Sequence, residues 1–275
     1  EGEAGVGKTE LAKVIAAMTG GELIRLQCYE GIDAAQAVYD WDYSRQLLHL
    51  RAAEASGEAT SKKANELESE LYNERFLIKR ALLRAIEQRD TPAVLLIDEI
   101  DRADEAFEAF LLEVLAEYQI TVPEIGTIRA SHIPQVILTS NGTRELSDAL
   151  RRRCLYHYLD YPSLAREIAI VKAALPHANS RLVEDVVQFV QRLRREDLSK
   201  IPGIAETLDW VRALFQMQHS HLPEDMASVL GTLGCLLKTR EDRFSMSSDR
   251  LRQLVEGRRT VGVAENSNEQ AKVAV

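Results

Sequence analysis

The stretch Gly2-Glu3-Ala4-Gly5-Val6-Gly7-Lys8-Thr9 constrains this chain more than any other, because it fits the pattern G-x-x-x-x-G-K-[ST]. Glycines let a backbone curl until its N–H groups converge on phosphate oxygens. Lys8 is then placed to reach β- and γ-phosphates as a point charge, and the Thr9 hydroxyl to ligate Mg²⁺. A helix should follow, so that its positive end faces the anion. Leu11, Val14, Ile15 and Met18 have the matching i, i+3, i+4, i+7 spacing, and Gly20-Gly21 stops the run. The bland alternative is a chance glycine turn before an ordinary helix. A strand should deliver the chain into such a loop, yet only Glu1 stands upstream. The expectation is therefore a fragment whose first strand lies outside the sequence.

Val94-Leu95-Leu96-Ile97-Asp98-Glu99 is an apolar run ending in two carboxylates, as a buried parallel strand should be. Beside a phosphate loop it reads as a Walker B strand. Asp98 would hold Mg²⁺ through water, and Glu99 would act as general base on the attacking water. Taken alone, the run could equally be a core strand with a solvated acidic turn. Val136-Ile137-Leu138-Thr139-Ser140 is a second buried-strand candidate, with Asn141 at its tip. That amide could orient the lytic water and sense the γ-phosphate, or merely start a turn with Gly142. Between these strands a helix is expected, capped by Asp104, with Phe107, Phe110, Leu111, Val114, Leu115 and Tyr118 on its core face. A short helix from Leu146 to Leu150 then runs into Arg151-Arg152-Arg153. The helix dipole alone would explain three cations there. The sharper reading is an arginine finger donated to a nucleotide on a neighbouring subunit.

Walker A, Walker B with an adjacent Glu, a strand-tip Asn and an arginine cluster occur in the order found in AAA+ ATPases. Ile120-Thr121-Val122-Pro123-Glu124-Ile125-Gly126-Thr127-Ile128-Arg129-Ala130 resembles the hairpin before the sensor strand of the MoxR family. Leu150-Arg151-Arg152-Arg153-Cys154 occupies the place of that family's LDRF-like segment. Gln27-Cys28-Tyr29-Glu30-Gly31 and Ala205-Glu206-Thr207-Leu208-Asp209-Trp210 resemble its CoxD-type branch. The resemblance covers residues from 1 to about 240. It implies Walker A, Walker B and sensor 1 roles for Lys8, Thr9, Asp98, Glu99 and Asn141. It puts Arg153 on the finger position, with Arg152 as the fallback, and implies ATP and Mg²⁺ as ligands. It also implies a hexameric ring, a partner with a von Willebrand A domain, and a metalloenzyme client such as a molybdenum–copper carbon monoxide dehydrogenase. One departure stands out: where many relatives carry a sensor 2 arginine, this chain has Glu206.

The fold expected is α/β: a three-layer P-loop core with a parallel sheet over 1–161, then a small all-α lid over 162–243. Leu23 to Cys28 reads as a second strand, and Leu155 to Leu159 as the last core strand, closing at Tyr161-Pro162. The gap from Cys28 to Val94 exceeds one crossover helix. The resemblance implies a helical insertion there, at about 35–75, facing a ring axis or a client; residues 52–66 read as an exposed loop. Leu164, Ile168 and Val171 mark a first lid helix, and Val183, Val186, Val187 and Val190 a second. Leu208, Val211, Leu214 and Phe215 mark a third, and Met226, Val229, Leu230, Leu233 and Leu237 a fourth. Residues 244–275 lose this periodicity and are expected to form a disordered tail.

Of 275 residues, 45% are hydrophobic and 28% charged, and the net charge is −9. An acidic balance without a basic-aromatic stripe argues against nucleic acid, and so against a helicase or restriction-type motor, the main alternative. A small-molecule P-loop kinase would leave Glu99, Asn141 and the arginines without roles. Cys28, Cys154 and Cys235 are far apart, which points to a reducing, cytoplasmic setting, and no apolar run has the roughly 18 residues a bilayer span needs. His219 and His221 sit two apart, a poor spacing for a shared metal on a helix. The leading expectation is an ATP-driven remodelling machine acting on a protein client, with nucleotide bound between core and lid.

Overall fold

The computed structural model describes residues 1–55, 70–87 and 91–257. In chain order the first elements are α1 (Lys8–Thr19), β1 (Leu23–Gln27), α2 (Ala34–Val38), β2 (Tyr39–Trp41), α3 (Tyr43–Ala55), β3 (Leu77–Lys79) and α4 (Ala81–Glu87). There follow β4 (Val94–Asp98), α5 (Glu105–Glu117), β5 (Gln119–Val122), β6 (Gly126–Arg129), β7 (Gln135–Leu138) and α6 (Asp148–Arg153). The helices α7 (Leu164–Ala174), α8 (Ser180–Leu193), α9 (Ile204–Gln216), α10 (Met226–Thr232), α11 (Arg240–Ser245) and α12 (Ser248–Glu256) complete the order. None of the described helices is long and apolar enough to cross a membrane. The chain divides into two units, one of Glu1–Glu3 with Gly7–Leu159, the other of Ala4–Val6 with the residues from Asp160 onward.

In the first unit β4 is central, parallel to β1 on one side and β7 on the other. Every residue of β4 is buried, which is why its sequence is apolar without alternation. Alternate side chains still divide between two layers. Val94 and Leu96 pack with Ala12 and Ala16 of α1. Leu95 and Ile97 join Ile24, Leu26, Leu83, Ile86, Phe107 and Leu111 on the opposite face. The three-layer α/β core is therefore present. Asp104 caps α5 through its carboxylate, which accepts from the Phe107 N–H at 2.8 Å. The hairpin of β5 and β6 aligns Ile120 with Ile128. The antiparallel ribbon of β2 and β3 pairs Trp41 with Leu77, so the two ends of the excursion between β1 and β4 are tied together. Of the insertion and exposed loop expected there, residues 56–69 lie outside the described residues.

The helix after the phosphate loop forms and stops at Gly20, as the spacing predicts. Ala12 and Ala16 are buried on it and Ile15 packs against the same cluster, while Leu11, Val14 and Met18 are exposed. Three expectations need correction. Leu155–Leu159 is not a strand: Leu155 is fully exposed, and only Leu159 bridges, to Gly2. Its partners there are Glu1 and Gly2, through Leu159 N–H to Glu1 O at 2.8 Å and the Glu1 ammonium to His157 O at 2.9 Å. The fourth lid helix ends at Thr232 and gives way to a 3₁₀ turn, Leu233–Cys235, where Gly231 and Gly234 lower helix propensity. The tail does not begin at 244: α12 is helical to Glu256, with Leu251 and Leu254 buried. Two leucines three apart on a short helix are too little periodic signal to read. The rest of the expected tail, 258–275, lies outside the described residues.

The second unit is built around α8, whose Leu182, Val183, Val186, Val187, Phe189, Val190 and Leu193 are all buried. Phe189 packs on Trp210 at 5.0 Å between ring centroids, and the indole N–H donates to Thr232 Oγ1 at 2.9 Å. Arg194 grips buried Glu167 with two bonds of 2.7 Å, and Gln191 and Thr207 complete the carboxylate's partners. Glu206 accepts from the Gly203 N–H at 2.9 Å and so caps α9. Gly203 must be glycine for space: an added Cβ would come within 2.8 Å of Gly5 Cα.

Candidate nucleotide site

Three loops of the first unit meet at the sheet edge where the parallel strands end, the place where open α/β sheets bind ligands. The turn before α1 supplies Gly2, Glu3 and Gly7, and the first residues of α1 supply Lys8 and Thr9; the end of β4 and the residue after it supply Asp98 and Glu99; the segment after β7 supplies Asn141. Gly7 adopts φ 96°, ψ 22° immediately before α1, in left-handed space where a side chain would be strained. An added Cβ there would meet nothing, so Gly7 is required for backbone shape and not for room. Ala4, Gly5 and Val6, the rest of the expected phosphate loop, belong to the second unit, and Ile204 N–H there donates to Gly5 O at 3.0 Å.

The Lys8 ammonium donates to Gly2 O at 2.6 Å, Glu3 O at 2.7 Å and Asn141 Oδ1 at 2.8 Å. Three acceptors at one ammonium fix its position. Burial holds its pKa below the ordinary 10.5, against the opposing pull of Asp101, Glu3, Asp98 and Glu99. Thr9 Oγ1 stands 3.5 Å from both carboxylate oxygens of Asp98. A hydroxyl and one carboxylate are hard oxygen donors, the set Mg²⁺ accepts when phosphates and waters fill its remaining positions. Among the described residues there is no cluster of three or more His, Cys, Asp or Glu able to cage a metal. The residues present therefore fit Mg²⁺ carried in with a polyphosphate.

Asp98, 4% exposed, also accepts from Thr139 Oγ1 and, at 2.5 Å, from the Arg25 guanidinium. Glu99 takes φ 56°, ψ 50°, a left-handed conformation that costs a residue with a side chain about 1 kcal/mol or more. Thr139 Oγ1 holds that backbone by accepting the Glu99 N–H at 3.0 Å. The Glu99 carboxylate accepts from Gln27 Nε2 at 3.0 Å and from Arg102 at 3.2 Å. Sequence reasoning missed Arg25, Gln27 and Thr139. Each touches an acidic residue only because β1 and β7 flank β4, and polar residues within or just after two short strands give no signal of that. Cys28, next along from Gln27, has its thiol pKa pushed up to about 12, mainly by burial, so it is no reactive nucleophile.

The arginine cluster is not joined to this group. Arg151, Arg152 and Arg153 form the last turn of α6; Arg152 is exposed, and Arg153 donates to Leu112 O at 3.0 Å. Among the described residues no hydrogen bond or ion pair links Arg152 or Arg153 to Lys8, Asp98 or Glu99.

A profile of the AAA domain family, dynein-related subfamily, matches residues 1–154, more than half of the chain. No curated protein sequence matches. Solved structures similar to this chain include a RuvB point variant of Thermotoga maritima, at 19% identity and TM-score 0.46, covering 84% of this chain and 60% of that one. The Thermotoga maritima RuvB Holliday junction branch migration motor is similar at 17% identity and TM-score 0.45, covering 84% and 59%. The chain thus spans about 60% of the length of these structures. With the three-layer core, the glycine loop and the family match in hand, the chain belongs to the dynein-related AAA domain family.

Proposed function

We propose that this module drives remodelling of a protein client in the manner of the MoxR ATPases, working as a ring of identical subunits. The reading carries the CoxD-type implication that the client is a metalloenzyme, such as a carbon monoxide dehydrogenase, met beside a partner with a von Willebrand A domain. The observation that carries the hydrolytic part is the meeting of Lys8, Thr9, Asp98, Glu99 and Asn141 from three separate loops. The acidic net charge of −9 favours a protein client over a nucleic acid.

In this reading the backbone of residues 2–9 wraps the triphosphate, and Lys8 exchanges its carbonyl partners for phosphate oxygens. Thr9, and Asp98 through water, would hold Mg²⁺, which would supply neutralisation of the triphosphate's charge. Glu99 accepts the proton of the attacking water as its oxygen bonds to the γ-phosphorus and the bond to the ADP oxygen breaks. Asn141, already against Lys8, orients that water and contacts the γ-phosphate. Arg153, or Arg152 in its place, extends from the end of α6 toward the site of an adjacent subunit, where it stabilises the charge that develops on the transferred group.

Glu99→Gln tests the assignment. ATP binding should persist while hydrolysis falls at least about 100-fold, the size expected for loss of a general base. Turnover close to that of the unaltered protein would remove Glu99 from the role. The same hydrolysis-deficient variant, used to trap partners in cells, should retain a protein client; retention of nucleic acid alone would favour a helicase-type motor.

A further inference from the structure

Asp101 is a buried carboxylate that the hydrolytic scheme leaves unused. The left-handed turn at Glu99 opens a 3₁₀ turn, Ile100–Arg102, and this carries the chain from the end of β4 beneath the loop that follows β7. Ile100 N–H donates to Thr139 O at 2.9 Å, which ties the two segments together. Asp101, 3% exposed, then receives three bonds on a single oxygen. Oδ2 accepts from Asn141 N–H at 3.2 Å, Thr143 N–H at 3.0 Å and Thr143 Oγ1 at 2.6 Å. Burial alone would raise its pKa, but these donors outweigh burial and hold the carboxyl below its ordinary range.

Two features go beyond ordinary loop packing. First, the residue whose backbone Asp101 grips is the one whose side chain meets Lys8 at 2.8 Å. Second, Oδ1 is buried with no hydrogen-bond partner among the described residues. A neutral acceptor could hold the loop without burying that second oxygen, whose burial is unfavourable. A negative charge here has a use, because Asp101 makes the largest of the favourable charge contributions felt by Lys8.

We propose that Asp101 is a positioning residue for hydrolysis: by gripping the Asn141–Thr143 turn it sets where the Asn141 amide stands relative to Lys8 and the terminal phosphate. This rests on the reading of Asn141 as the residue that contacts the γ-phosphate. Asp101 touches neither substrate nor metal. It acts through Asn141, as the support behind a functional side chain.

The test is a mutant cycle in the full chain, read as kcat and KM for ATP with thermal unfolding followed in parallel. Asp101→Ala should lower kcat about tenfold or more, the scale of lost hydrogen bonds to a charged group, with KM changed less than about twofold. Asp101→Asn, which keeps an oxygen to accept from the loop but removes the charge, should recover part of that loss. In an Asn141→Ala background, Asp101→Ala should cost less than about twofold further, because both changes remove one function. Should Asp101→Ala fail to fold, Thr143→Val removes the shortest of the three bonds; it should lower kcat several-fold only while Asn141 is present. Equal losses of kcat in both backgrounds, or no loss in either, overturn the proposal. An Asn141→Ala protein with unaltered kcat would instead overturn the underlying reading of Asn141, and the proposal with it.

Discussion

The ammonium of Lys8 donates to the Asn141 amide oxygen at 2.8 Å, although 133 positions separate the two residues. This contact joins the helix that follows the glycine loop to the strand on the far side of β4, and Asp98 and Glu99 lie at the end of the strand between them. A terminal phosphate that displaced Asn141 from Lys8 would therefore be registered at both outer parts of the site at once.

Arg25 competes for the carboxylate assigned to magnesium. Its guanidinium is 54% exposed and pairs with Asp98, which is itself buried. With the guanidinium open to water, the pair is screened and worth about 1 kcal/mol. Arg25→Ala should accordingly lower the Mg²⁺ concentration needed for half-maximal nucleotide binding, by up to about fivefold. Titration of a fluorescent ATP analogue at varied Mg²⁺ measures it, and an unchanged or higher requirement would show that the pair does not compete.

The finger assignment predicts complementation. Lys8→Ala alone should weaken ATP binding at least about tenfold, as loss of a charge-assisted contact implies. Arg153→Ala alone should bind ATP but hydrolyse poorly. Mixed, the two proteins should regain part of the hydrolysis, since one kind of interface pairs an intact loop with an intact arginine. A mixture no more active than its components rules out Arg153 acting across subunits, and the same mixing with Arg152→Ala tests the fallback.

Acid should loosen the first unit through Glu108. This carboxylate is 1% exposed, accepts from Ser147 N–H at 2.9 Å and pairs with Arg144. Burial would raise its pKa, but Ser147 and Arg144 outweigh burial and hold it below the ordinary 4.5. A carboxyl depressed on folding stabilises fully above its unfolded value, and that contribution fades as pH falls through the folded value. The unaltered protein should lose stability below about pH 4.5, and Glu108→Gln should flatten that part of the curve. Parallel acid-dependence of both proteins in urea melts would sink the assignment.

The second unit depends on the Glu167–Arg194 pair, in which both partners are nearly sequestered from water. Removing one member leaves an uncompensated buried charge, at about 3–5 kcal/mol. Arg194→Ala should thus unfold this unit at markedly lower temperature, whereas joint replacement by Glu167→Leu and Arg194→Met should cost less. Calorimetry decides it; a single variant as stable as the unaltered chain would place the pair outside the unit's core.

Several features were legible in the order of residues because they depend on neighbours a few positions apart. The glycine pattern before Lys8, the wholly apolar run into Asp98, the Asp104 cap and the repeating valines of α8 are all short-range signals. They were enough to place the helix after the glycine pattern, the central strand and the helix α8. Chain folding alone decided what those signals leave open. The pairing of β1 with β4 sets Gln27 beside Asp98 and thereby brings Gln27 to Glu99 and Arg25 to Asp98. The packing of α1 buries Ala12 and Ala16, with Ile15 against the same cluster, and leaves Leu11, Val14 and Met18 exposed. Leu155–Leu159 has the composition of a strand, yet it makes a single bridge, between Leu159 and Gly2. A periodic pattern shows that a face is apolar. Which face is covered, and which polar groups then meet, depends on long-range register and closeness of approach, and no local pattern encodes these.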